Sequence, residues 1–167
     1  MSSFTQVQES IGEITNELYP GMDVILLKIK TFRKNAGDTD RYENAFDILD
    51  MLKEEIHSLK TYETKLVFPG INRYFGNSEV SLPQNMRINE LHALLKKKEE
   101  FVKNKVLDLE LELEDNPQNL LAELVAYFKE HYFCKKDAFY KCIAKLQKKQ
   151  AVKSSENDVV KPDSLAF

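Results

Sequence analysis

Five polar residues fall on stretches whose spacing otherwise lines one helix face with apolar side chains: Glu63, His92, Glu99, His131 and Lys135. Glu63 stands in the seam Leu49, Leu52, Ile56, Leu59, Glu63 and Leu66, read in alternating steps of three and four. A carboxylate turned toward a core is costly unless it is paired, protonated or bound to a metal. His92 and Glu99 share a second seam with Ile88, Leu95, Val102, Val106, Leu109 and Leu113, widened by Leu91 and Leu94. His131 and Lys135 share a third, with Leu121, Leu124, Phe128, Ala138, Cys142 and Leu146. Imidazole and carboxylate together suit iron, zinc or manganese, and bundle proteins build such sites from inward-facing side chains of several helices. The competing reading is a pair of hydrogen-bonded core histidines, with Glu99 and Lys135 reaching solvent from the seam edge.

The elements that carry these residues are helices. A first short helix is expected over residues 4–18, broken by Tyr19-Pro20-Gly21, and a second from Met22 to Phe32, stopped by Asn35-Ala36-Gly37-Asp38. The helix bearing Glu63 is expected from Arg41 to Val67, capped by Asp38, Thr39 or Asp40, with Pro69 pushing Phe68 out of the helical region. Residues 69–86 read as one long irregular loop. A helix over 87–114 follows, then a last one over 117–149, with Asn116 able to cap it and Pro117 at its first position. Residues 150–167 lose all periodicity and read as a disordered tail. The spacing therefore predicts an all-α protein, an antiparallel four-helix bundle with a short extra N-terminal helix. Residues 1–149 form its single domain and residues 150–167 its tail.

Composition agrees and removes several functions. Five glycines and five prolines in 167 residues leave long uninterrupted stretches rich in Lys, Glu and Leu, which favour helix. A formal charge of −3 implies no large field toward nucleic acid or membrane, and the lysine runs are interleaved with acids. No apolar run reaches the length of about 18 residues that a membrane span needs. The N-terminus lacks the basic and apolar regions of a signal peptide. Cys134 and Cys142 are eight positions apart on one helix, too far to pair with each other, and no Cys-x-x-Cys exists. A cytoplasmic, reduced protein is expected. Glu54-Glu55-Ile56-His57 is a lone copy of the Glu-x-x-His that ferritin-like di-iron sites use twice. Neither a nucleophile elbow nor a phosphate loop is present, so a conventional enzyme has the least support.

Glu63-Thr64-Lys65-Leu66-Val67-Phe68-Pro69 resembles the second-helix motif of the hemerythrin-like (cation-binding) family, where a glutamate precedes a hydrophobic-Phe-Pro ending. His92, in Ile88–Leu95, looks like that family's first third-helix histidine, and His131, in Leu124–Ile143, like its fourth-helix histidine. The resemblance spans roughly residues 15 to 146 in helix order and length. It implies a reduced metal site of Glu63, His92, His131 and Glu99 holding a single iron or zinc, serving iron handling or the sensing of oxygen or nitric oxide. The departures are large. The family's histidine four residues before the glutamate falls at Leu59, its first-helix histidine near Met22-Asp23, and its bridging aspartate at Lys136, with Asp137 displaced by one. The alternative is a metal-free bundle in which Glu63 pairs with Lys135 or a histidine, and whose function is to bind a protein partner or to regulate. Residues 69–86 and the charged helix faces would be its working surface.

Overall fold

The computed structural model describes residues 3–76 and 82–157, with residues 74–76, 82–89, 91 and 149–157 described by their backbone alone. Every regular element among them is helical. α1 (Ser3–Glu13) leads through a π turn, Ile14–Leu18, into α2 (Tyr19–Asn35). A 3₁₀ turn at Asp40–Tyr42 opens α3 (Glu43–Tyr62), which passes through a second π turn, Glu63–Val67, into α4 (Phe68–Gly76). α5 (Leu82–Asp115) is the longest, and α6 (Asn119–Tyr127) runs through a third π turn, Phe128–Tyr132, into α7 (Phe133–Asn157).

The helix does not break at Tyr19-Pro20-Gly21, nor does it end at Phe68. Proline normally ends an α-helix because it lacks an N–H and its ring meets the carbonyl four residues back. Just before Pro20 the Tyr19 N–H bonds the Ile14 carbonyl, five residues back instead of four, and the Phe68 N–H bonds the Glu63 carbonyl in the same way before Pro69. The wider turn relieves the crowding that a proline imposes on the preceding turn. Both places share one local pattern: a threonine, Thr15 or Thr64, stands four residues before an aromatic-Pro-Gly, Tyr19-Pro20-Gly21 or Phe68-Pro69-Gly70, with an apolar residue, Leu18 or Val67, just before the aromatic. At the first, Gly21 leaves room for the Tyr127 hydroxyl, which donates to the Leu18 carbonyl at 2.7 Å.

The stretch 69–86 is accordingly helical over 69–76 and 82–86, while residues 77–81 lie outside the described residues. α7 runs on to Asn157, eight residues beyond the expected end at 149, and residues 158–167 of the expected tail lie outside the description. Gln118, not Asn116, caps α6, its Oε1 accepting from the Leu121 N–H at 2.7 Å. Asn116 instead ties the α5–α6 turn to the start of α3. Its Oδ1 accepts from Arg41 Nε at 3.0 Å and its Nδ2 donates to the Arg41 carbonyl.

α1 packs against α7 and α4, α2 against α6, α3 and α4 against α5, and α5 against α6. Leu49, Leu52 and Leu59 of α3 meet one buried core with Val102 and Leu109 of α5 and Leu121, Leu124 and Phe128 of the last helices. Each such burial contributes about 1.5–3 kcal/mol. Two of the sequence seams slip by one residue at a π turn. Beyond Glu63 the buried residue is Val67, while Leu66 is 47% exposed. Beyond Phe128 the buried set is Tyr132, Lys136, Phe139, Tyr140, Ile143 and Leu146, while His131 and Ala138 face outward. A π turn holds one more residue than an α turn, so the inward face moves on by one residue over the turns that follow.

Candidate functional site

That slip brings a lysine inside. Lys136 is 2% exposed and Glu63 is fully buried. The Lys136 ammonium donates to both carboxylate oxygens of Glu63, at 2.5 and 2.6 Å, and to the Tyr19 hydroxyl at 2.7 Å. It lies 3.1 Å from Glu99 Oε1. The Tyr19 hydroxyl in turn donates to Glu63 Oε1, and the Tyr132 hydroxyl donates to Glu99 Oε1 at 3.1 Å. The ammonium also sits 5.0 Å from the Tyr19 ring centroid and 5.2 Å from that of Tyr132, within cation–π range. Three of these five residues adjoin a π turn: Tyr19 follows the first, Glu63 opens the second and Tyr132 closes the third.

The electrostatics follow from two carboxyls and one ammonium buried together. The direct contacts of Lys136 compensate Glu63, so two opposite charges are buried together and not singly. Burial, with the Glu63 charge beside it, pushes the Glu99 carboxyl up toward its neutral form, against the opposing pull of Lys136. Burial likewise raises the Tyr19 and Tyr132 hydroxyls well above the ordinary phenol value, with Glu63 adding to the first and Glu99 to the second, so both remain hydrogen-bond donors.

Of the four residues expected to hold a metal, the structure brings Glu63 and Glu99 together and leaves the two histidines apart. His131 is exposed and stacks on Tyr127, ring centroids 5.1 Å apart. His92 is half-buried against Tyr140, centroids 4.9 Å apart, and burial with Lys96 nearby lowers its imidazole below the usual range. Lys135, expected as the counter-charge of Glu63, points outward and pairs with Glu13 at 2.7 Å. Tyr62, next to Glu63 in the chain, has the Lys98 ammonium over its ring. Tyr19, Tyr132 and Lys136 are the members that sequence spacing missed. Tyr19 carried a signal, since it stands before Pro20-Gly21 as Phe68 stands before Pro69-Gly70.

This donor set does not fit a metal ion. The space where two carboxylates converge is filled by an ammonium, and two of its three donations go to Glu63. Among the described residues no group of three or more His, Cys, Asp and Glu side chains is arranged to hold a metal. Nor is any described helix long and apolar enough to cross a membrane. Comparison with known proteins finds no match: no family model fits the sequence, and no curated protein and no solved structure resembles it.

Proposed function

We propose that this chain is a hemerythrin-like antiparallel four-helix bundle in which a lysine ammonium has taken the place of the metal cation, and that it works as a metal-free regulatory or partner-binding protein. The observation that carries this reading is Lys136: one internal cation reaches Glu63, Glu99 and Tyr19 at once. Lys136 is also the position at which the family resemblance expects a bridging aspartate. A carboxylate that would bridge metal ions has thus been exchanged for a group that substitutes for them. The antiparallel arrangement is supported by packing with ends reversed, α1 on α7 and α2 on α6. A role at the surface is supported by large apolar side chains that the core does not use, Val24 and Leu27 on α2 and Leu107 and Leu111 on α5, each more than half exposed.

The metal-bearing reading, iron handling or sensing of oxygen or nitric oxide, draws support from two carboxylates that already converge on one cation. Against it stand the ammonium between them and the separation of His92 and His131 from the cluster. Elemental analysis of untagged protein, before and after anaerobic incubation with ferrous iron or zinc, tests the proposal. The expected result is substoichiometric metal and an unchanged Tm. About one ion per chain, abolished by Glu63→Ala or His131→Ala, would overturn it.

A further inference from the structure

α5 and α7 enclose a pocket of about 360 Å³, within the range of small-ligand sites. Two members of the buried cluster, Glu99 and Lys136, line it, while Phe133, Tyr140 and Ala144 of α7 supply an apolar wall. Three lysines, Lys96, Lys103 and Lys141, face two acids, Glu100 and Asp137, around it. Lys103 approaches Asp137 at 3.9 Å, the loose limit of an ion pair. Counting three positive against two negative side chains leaves one positive charge at the rim, above an interior where Lys136 offsets Glu63.

Behind that wall lie two orphaned polar atoms. The Tyr140 hydroxyl is buried and has no hydrogen-bond partner among the described residues, and neither has Nε2 of His92, the ring stacked behind it. Native interiors rarely leave such groups unsatisfied, and one that is unsatisfied calls for an explanation. Burial, with Glu99 as the next cause, raises the Tyr140 hydroxyl, which therefore remains a donor.

We infer that this pocket binds a small organic monocarboxylate, its apolar body against Phe133, Tyr140 and Ala144 and its carboxylate among Lys96, Lys103 and Lys141. One negative charge matches the single excess positive charge of the rim. A phosphate dianion carries twice the charge that the rim offsets, and an ammonium ligand would meet three lysines. This inference goes beyond the proposed function and stands without the family resemblance, since the pocket and its charges are read directly.

The test is a titration of the full chain with benzoate, followed by amide chemical shifts, with inorganic phosphate and benzylammonium as comparison probes. Benzoate is expected to give saturable shifts centred on Lys96–Lys103 of α5 and Phe133–Ala144 of α7. Ala144→Leu and Lys141→Glu change exposed positions, so both variants fold, and each is expected to abolish or greatly weaken these shifts. No saturable shift up to about 10 mM, a concentration well above a millimolar dissociation constant, overturns the proposal. So do benzoate shifts that survive Ala144→Leu, and binding of phosphate or benzylammonium in preference to benzoate.

Discussion

Replacing Lys136 by methionine keeps an unbranched apolar stem, one atom shorter, and removes the ammonium. Three contacts within 2.7 Å disappear, two to Glu63 and one to Tyr19, and the approach to Glu99 at 3.1 Å goes with them. Glu63, fully buried, keeps the hydroxyl of Tyr19 but no counter-charge. Leaving one member of a buried pair uncompensated costs about 3–5 kcal/mol. That is a large part of the roughly 5–15 kcal/mol that holds a domain folded. For a chain of this size each kcal/mol moves Tm by about 2–4 °C, so Lys136→Met is expected to lower Tm by about 6–20 °C. Urea unfolding followed by circular dichroism measures the same loss at equilibrium.

The reasoning makes a sharper statement about the double variant. Lys136→Met with Glu63→Gln removes both charges, and replacing a buried pair by uncharged groups of similar volume is often near neutral. The double variant is therefore expected to be more stable than Lys136→Met alone, with a coupling of at least about 1 kcal/mol between the two sites, above the scatter of independent substitutions. If the single variant proves too unstable to purify, the recovery of folded protein in the double variant carries the same information. Losses that simply add, or a Lys136→Met protein within about 0.5 kcal/mol of the parent, the range of an ordinary surface substitution, would refute the ion pair as the organising contact of the interior.

Two further outcomes follow from the cluster. Glu99 has a raised carboxyl in the folded chain relative to an ordinary value of 4.5, so its contribution to stability is fully present below that value and is lost as pH climbs through the folded pKa. Glu99→Gln, which cannot ionise, should gain on the parent as pH rises from about 5 to about 8; a stability difference that stays constant across that range would sink the assignment. Lys136→Asp exchanges the internal cation for a third carboxylate beside Glu63 and Glu99. This variant should be destabilised without metal and should recover Tm on addition of manganese or ferrous iron by binding to the folded state, whereas the parent should not respond. An identical response from both proteins would show that the metal binds elsewhere.

The sequence by itself determined that the chain is helical and which residue sits in its interior against the rule. Leu49, Leu52, Ile56 and Leu59 recur at helical spacing and are all buried, and the same spacing carries Glu63 inside with them. Glu99 was legible in the same way, four residues beyond Leu95 and three before Val102, both buried. The partner was not legible. Periodicity presupposes 3.6 residues per turn throughout, and three π turns break that assumption at the positions that matter. Past Phe128–Tyr132 the inward face passes from His131 and Lys135 to Tyr132 and Lys136, so a shift of one residue replaces an imidazole with a phenol and turns a different lysine inward. Past Ile14–Leu18 and Glu63–Val67 the same device carries the helix across Pro20 and Pro69, which local rules alone read as its ends. A π turn has little local signature because one less favourable turn is stabilised by what it lets the distant residues do. Here that is the meeting of Tyr19, Glu63, Glu99, Tyr132 and Lys136, and only the packing of the whole chain brings them together.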